Sequence, residues 1–341
     1  MALVENACIE KGKPMKNSNK NIFKNIILLP AICFILLLTG CGNSAAMADN
    51  NGKLNIITTI FPYYDFVRQV AGDKVNLKLV VPAGMDTHSF EPVASDMIAI
   101  GNADIIIYNG GEMEVWVDKV LEASSNNNVR AEKMMDYVDT VTEEDVTGLY
   151  EGHDGHHHAG DNDETEELDE HIWTSPVNSI KIISNIADIL SEEDKENSGY
   201  YHNNASKYIK KLKKLDNMFR EITSSSAKDY LLFADRFPLR YFVDEYGLSY
   251  NAAFAGCSSE TEPSADIIAS LTDKAKNENI HVILKIELTS TKVADAIAEI
   301  AGAKVMTFNT CHNVTREQFD NGITYYDLMK KNADVLKEAL S

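Results

Sequence analysis

The chain is short of positive charge: 32 Lys and Arg stand against 52 Asp and Glu, a formal net charge of −20 over 341 residues. A surface of that sign repels phosphate backbones and anionic headgroups, which excludes nucleic acid and an acidic membrane face as partners. A run of membrane-spanning length is also lacking. The apolar stretch 26–38 is 13 residues long and broken by Pro30, whereas a comfortable span needs about 20. No H-E-x-x-H and no G-x-S-x-G occurs, so neither the zincin nor the nucleophile-elbow pattern supports a hydrolase. Cysteine is scarce, with five in all.

The apolar stretch follows Lys16, Lys20 and Lys24 and ends in Leu38-Thr39-Gly40-Cys41. A basic segment before a short apolar run is an export signal. The small residue before the cysteine resembles the bacterial lipobox, which implies cleavage before Cys41 and acylation of its thiol. The expected location is therefore extracytoplasmic, lipid-anchored to the bacterial cell membrane. Residues 1–14 contain Glu5 and Glu10 and sit awkwardly ahead of such a signal, so Met15 is the expected start. Removing 1–40 takes five lysines and two glutamates and leaves a charge of −23. Cys257 and Cys311 remain. In an oxidising compartment they read as a disulfide in preference to metal ligands.

Apolar runs at 54–60, 75–81 and 104–108 predict strands, with helices at 63–71, 95–102 and 116–123. The alternation restarts with strands at 230–234, 248–254, 282–286 and 305–308 and helices at 240–246, 264–277, 292–301 and 325–340. Strands alternating with short helices imply an α/β fold, here two lobes, each a mostly parallel sheet flanked by helices. Between them Ser175-Pro176 starts a helix over 177–190. Tyr201, Ala205, Tyr208, Leu212, Leu215, Phe219 and Ile222 then recur at alternating steps of four and three, an amphipathic helix. No long flexible linker joins the lobes, so a stiff hinge is expected. The expected organisation is a signal over 1–40, a lipidated tether over 41–53 and a first lobe over 54–174. A linking helix over 175–195 and a second lobe over 196–341 follow.

Four of the nine histidines, His153, His156, His157 and His158, fall in the acidic stretch 151–170, too polar and Gly-rich to pack a core. Short His tracts read as metal binding, and imidazole suits zinc; the plainer alternative is a solvated insertion with no role. In open parallel sheets ligands bind beyond the carboxyl ends of strands. His88, Asp235, Cys257, Glu260, Glu287, Cys311 and His312 all follow predicted strands, and His171 precedes the joining helix. Each has a bland reading too: His88 as a turn residue, His171 as a cap, Asp235 as the partner of Arg236 or Arg240. Two histidines from the first half and one or more N, O or S donors from the second would close a tetrahedral site between the lobes.

The segments PAGMDTHSFEP (82–92), NADIIIYNG (102–110) with Trp116 after it, DEHIWTSP (169–176) and YFVDEYGL (241–248) resemble the metal-binding lipoproteins of bacterial zinc and manganese ABC importers, the cluster A-I solute-binding proteins. ETEPS (260–264) fits more loosely, and the likeness covers nearly the whole mature chain. It implies that His88 and His171 are ligands and that two more come from the second lobe. It also matches the loop 151–170 to the His-rich loop of zinc-type members. The second lobe departs from the pattern. Ala234 falls nearest the family's third ligand, which leaves Asp235 as the nearest metal-capable residue. Thr310-Cys311-His312 replaces the fourth, so His312 or Cys311 takes over. The implied function is capture of Zn²⁺ by a monomer and delivery to a membrane permease, with no chemistry performed. Mn²⁺ is the second choice because it prefers more carboxylate. Competing readings are an exported adhesin with a structural zinc and an exported zinc hydrolase, which would need an open coordination position and a general base.

Overall fold

Ile105, Ile106 and Ile107 have no exposed surface, the mark of a strand covered on both faces. This strand, β3 (Ile105–Tyr108), lies in a sheet with β1 (Asn55–Thr58), β2 (Asn76–Leu79) and β4 (Arg130–Lys133). The order is β2-β1-β3-β4 and every pair is parallel. A second sheet is built in the same way from β5 (Tyr230–Phe237), β6 (Ser249–Ala255), β7 (Val282–Lys285) and β8 (Lys304–Thr307), in the order β6-β5-β7-β8. The computed structural model describes residues 51–124, 128–143, 168–256 and 263–341.

Helices α1 (Phe61–Ala71), α2 (Ala94–Gly101) and α3 (Val115–Ala123) accompany the first sheet. Then come α4 (Pro176–Glu193) and α5 (Ser198–Ser225). Ser175 starts α4 by accepting hydrogen bonds from Val177 N and Asn178 N, both at 3.2 Å, with Pro176 in the first turn, where its missing N–H costs nothing. The stripe Tyr201, Ala205, Tyr208, Leu212, Leu215 and Phe219 is buried along α5, as the spacing predicts. Helices α6 (Arg240–Tyr246), α7 (Ala265–Asn277), α8 (Lys292–Ala301), α9 (Arg316–Asp320) and α10 (Tyr325–Ala339) complete the second half.

One apolar core runs through both halves, joining Ile56 and Phe66 to Trp173, Tyr208, Phe233 and Phe308. Asp65, fully buried on α1, ties the halves together: its carboxylate accepts from Tyr208 Oη at 3.0 Å and from Tyr325 N at 2.8 Å. Each buried aromatic or aliphatic side chain contributes about 1.5–3 kcal/mol. The shared core thus holds the two halves in one folded unit.

Three elements differ from expectation. Strand β4 (RAEK) has no apolar pattern because it is an edge strand, where charged side chains are favoured. Helix α9 is only five residues long. Strand β5 continues past Ala234 to Phe237, with a register irregularity against β6 between Phe233 and Arg236. Asp235 and Arg236 thus lie within the strand and not in a loop after it.

Candidate metal centre

His88 sits in the 3-10 turn Thr87–Ser89, in the segment between β2 and α2. Asp86 caps that turn, its Oδ1 accepting from His88 N at 2.9 Å. An Asx-type turn of this kind fixes a histidine on an otherwise irregular segment. His171 precedes the short 3-10 turn Ile172–Thr174 that leads into α4. It is fully buried. Asp169 Oδ1 accepts from His171 N at 2.8 Å and lies 3.2 Å from His171 Nδ1. The second half pins this segment: Tyr241 Oη donates to Asp169 O at 2.7 Å, and Trp173 Nε1 donates to Thr310 O at 2.9 Å. His312 follows β8 in a turn shaped by Glu287, whose carboxylate accepts from Thr310 N and Thr310 Oγ1, both at 2.7 Å.

These three elements bring His88, His171 and His312 together. One ring nitrogen from each lies within 4.8 Å of the others. The ring centroids are 5.8 Å apart for His88 and His171, 5.2 Å for His88 and His312, and 5.7 Å for His171 and His312. Zinc–nitrogen bonds of about 2.0–2.1 Å in a tetrahedron put donors roughly 3.4 Å apart, so a contraction on the scale of a side-chain rotation closes the set. His171 supplies the clearest sign of fit. Its Nδ1 faces Asp169, while its Nε2 is buried with no hydrogen-bond partner. Leaving a buried polar atom unpaired costs about 1–3 kcal/mol, a cost that a metal ion at that nitrogen would remove.

Electrostatics keep the donors ready. Burial lowers the His88 imidazole from its usual 6.5 to about 4, helped by the neighbouring His171 and Arg236 charges. Burial, then His88 and His171, push His312 well below the ordinary histidine value. Both rings are neutral at physiological pH, the form that binds metal. Around them lies a cavity of about 150 Å³ lined by Asp86, Arg236, Gly256, Glu287 and Thr289 together with His88 and His312.

Other candidates fall elsewhere. Asp235 does not join the three histidines. Its carboxylate is taken up by Arg236 N at 2.9 Å, Ile286 N at 3.2 Å and the Thr289 hydroxyl, because the longer β5 turns it toward β7. Among the described residues Cys311 is a free, fully buried thiol, and the expected partner Cys257 lies outside them. Burial pushes the Cys311 pKa well above the ordinary thiol value, and the residue lies outside the histidine group. Cys41, Cys257, Glu260 and the loop histidines His153, His156, His157 and His158 lie outside the described residues. Sequence reasoning missed Asp169, although an acidic residue two positions before a histidine is a recurring way to orient an imidazole. Outer-shell partners of this sort are worth 10–100-fold in metal affinity. Asp169→Ala is therefore expected to weaken zinc binding by about that factor while leaving the stoichiometry unchanged, as read by chelator competition.

A family model described as zinc-uptake complex component A, periplasmic (ZnuA), matches residues 56–339. The high-affinity zinc uptake system protein ZnuA of Bacillus subtilis is 36% identical over 316 residues, which cover 91% of this chain and 95% of that protein. Among solved structures, the metal-dependent lipoprotein YcdH of Bacillus subtilis superposes with a TM-score of 0.71 at 32% identity, over 84% of this chain and 99% of that one. The Zn(II)-bound ZnuA-like domain of Streptococcus pneumoniae AdcA gives 0.70 at 31% identity, over 85% and 99%. With two all-parallel sheets, three histidines drawn from both halves and a match over 284 residues, the chain belongs to the ZnuA family of zinc-uptake components.

Proposed function

We propose that this protein captures Zn²⁺ outside the cytoplasm and hands it to a membrane permease, with His88, His171 and His312 as its ligands. The observation that carries the reading is the convergence of three imidazoles on one point, with the buried His171 Nε2 unpartnered. Nitrogen donors with no carboxylate in the group, among the described residues, suit zinc over manganese. His88 and His171 come from the first half and His312 from the second, so bound metal ties the halves and release requires them to part. The names of the relatives, a zinc uptake protein and a zinc-binding domain, support the same cargo. The chain acts as a lipid-anchored monomer through Cys41 and performs no chemistry. Among the described residues no helix is long and apolar enough to cross a membrane, which fits attachment by lipid.

The reading is tested by uptake of radioactive zinc at nanomolar external concentration in cells with and without the gene. Uptake should collapse in the deletion strain and return with the wild-type gene, but not with His88→Ala. Equal uptake in the deletion strain would refute it. The His-rich stretch serves as an accessory that gathers zinc weakly. Deleting residues 151–163 should leave one tight zinc per chain and remove only weaker additional binding, and loss of the tight site on that deletion would move the site to the loop.

A further inference from the structure

The segment that carries His88 belongs to the first half, yet its contacts cross to the second. Asn313 Nδ2 donates to Pro82 O at 2.9 Å and to Met85 O at 2.8 Å. The Thr87 hydroxyl lies 2.6 Å from His312 Nε2. Arg236 Nη2 donates to Asp86 Oδ2 at 3.0 Å. Asp86 is the carboxylate whose other oxygen caps the His88 turn. One side chain therefore grips the histidine-bearing turn with one oxygen and the opposite half with the other.

Arg236 is aimed across the cleft by the strand irregularity described above. Parallel pairing of β5 with β6 slips between Phe233 and Arg236, and such bulges re-aim side chains beside functional sites. Asp235 fixes the irregular backbone by accepting from Arg236 N, Ile286 N and Thr289. The Arg236 side chain is 16% exposed and that of Asp86 45% exposed, so the pair is reachable by salt without being dissolved by water.

We propose that the Asp86–Arg236 ion pair is a latch between the halves, which holds the His88 turn against β5 and so lengthens the time that metal stays bound. Arg236 is on this account a positioning residue: it acts on the metal through Asp86 and the His88 turn. The latch rests on zinc being the cargo of the three histidines. A guanidinium that acted only through its charge would do the reverse. A positive group near a dication repels it, so removing Arg236 would then tighten binding and slow release.

The two actions are separated by stopped-flow release of zinc to an excess of a coloured chelator, using the full exported chain in detergent. The wild type would be compared with Arg236→Gln, Asp86→Asn, the double variant and Arg236→Lys. Asparagine can still accept from His88 N, so Asp86→Asn removes the latch and keeps the cap. A partly exposed ion pair is worth up to about 1 kcal/mol, so each single variant should release zinc about threefold to fivefold faster. The double variant should be no faster than either single, because residues of one pair are not additive. Arg236→Lys should restore part of the loss. Raising salt to about 1 M, where screening acts within roughly 3 Å, should speed the wild type and leave the variants unchanged. Unchanged or slower release from Arg236→Gln would overturn the latch, as would single effects that multiply in the double variant. A wild-type chain that took up no zinc would instead refute the cargo itself.

Discussion

Replacing His171 with alanine is expected to weaken zinc binding by about 100-fold or more. Structural zinc sites gain on the order of 10–16 kcal/mol in total. Shared over the three histidines this is roughly 3–5 kcal/mol per donor, and each 1.4 kcal/mol is about tenfold in affinity. The same substitution should also lower the stability of the chelator-treated protein. His171 is fully buried, its ring 5.5 Å from that of Trp173. Truncation leaves a cavity and takes the imidazole from the buried Asp169 carboxylate, at a cost of about 1–3 kcal/mol. His88 lies half-buried on a surface turn. His88→Ala should lose comparable affinity and change stability by no more than about 0.5 kcal/mol. Thermal unfolding without zinc and chelator competition with it separate the two effects. A His171→Ala protein that is less stable but binds zinc as the wild type does would make His171 a core residue and nothing more.

The second large effect is on pH. A free imidazole titrates near 6.5, and metal must compete with that proton. Burial holds His88 near 4 and His312 well below its ordinary value. As far as these two rings govern it, zinc affinity should stay nearly flat from pH 8 to about 5. It should then fall by up to about tenfold per pH unit for each ring that takes a proton. The fold responds over a different window. Between pH 6.5 and 4 the unfolded chain protonates at His88 and the native chain does not, so the unfolded state binds more protons and stability declines as pH falls. The contribution is complete above about pH 6.5 and exhausted once the pH has passed 4. Chelator competition and denaturant unfolding at pH 7.5, 6.0, 5.0 and 4.0 test both. An affinity that already drops tenfold between pH 7 and 6 would show these rings to be solvated.

Much of this architecture is legible in the chain because local signals agree with the global fold. Helices α6 and α8 end where Gly247 and Gly302 adopt left-handed φ of 65° and 71°, as glycines after helices do. The strand-edge rule places His88 and His312 at one cleft without any coordinates. What the sequence hides has physical causes. The edge strand β4 carries no periodicity, so nothing in RAEK distinguishes it from a loop. Asp235 and Arg236 look like the start of a turn because a charged pair follows an apolar run. Only the irregular register against β6 keeps them in the strand, and with that Asp235 is drawn to Ile286 and Thr289 and away from the histidines. The Asp86–Arg236 contact joins residues 150 positions apart, a distance no spacing rule reaches. Cys311, with a left-handed φ of 61°, lies in the turn that sets up His312, which its place after an apolar run does not reveal.

The most direct test of the zinc centre is a titration of the chelator-treated, full exported chain with Zn²⁺, beside His88→Ala, His171→Ala, His312→Ala and Asp235→Ala. The three-histidine site predicts one zinc per chain bound far more tightly than micromolar, lost by about 100-fold or more in each histidine variant and kept within about tenfold by Asp235→Ala. Zinc bound no better than micromolar, or histidine variants that bind as the wild type does, would contradict it.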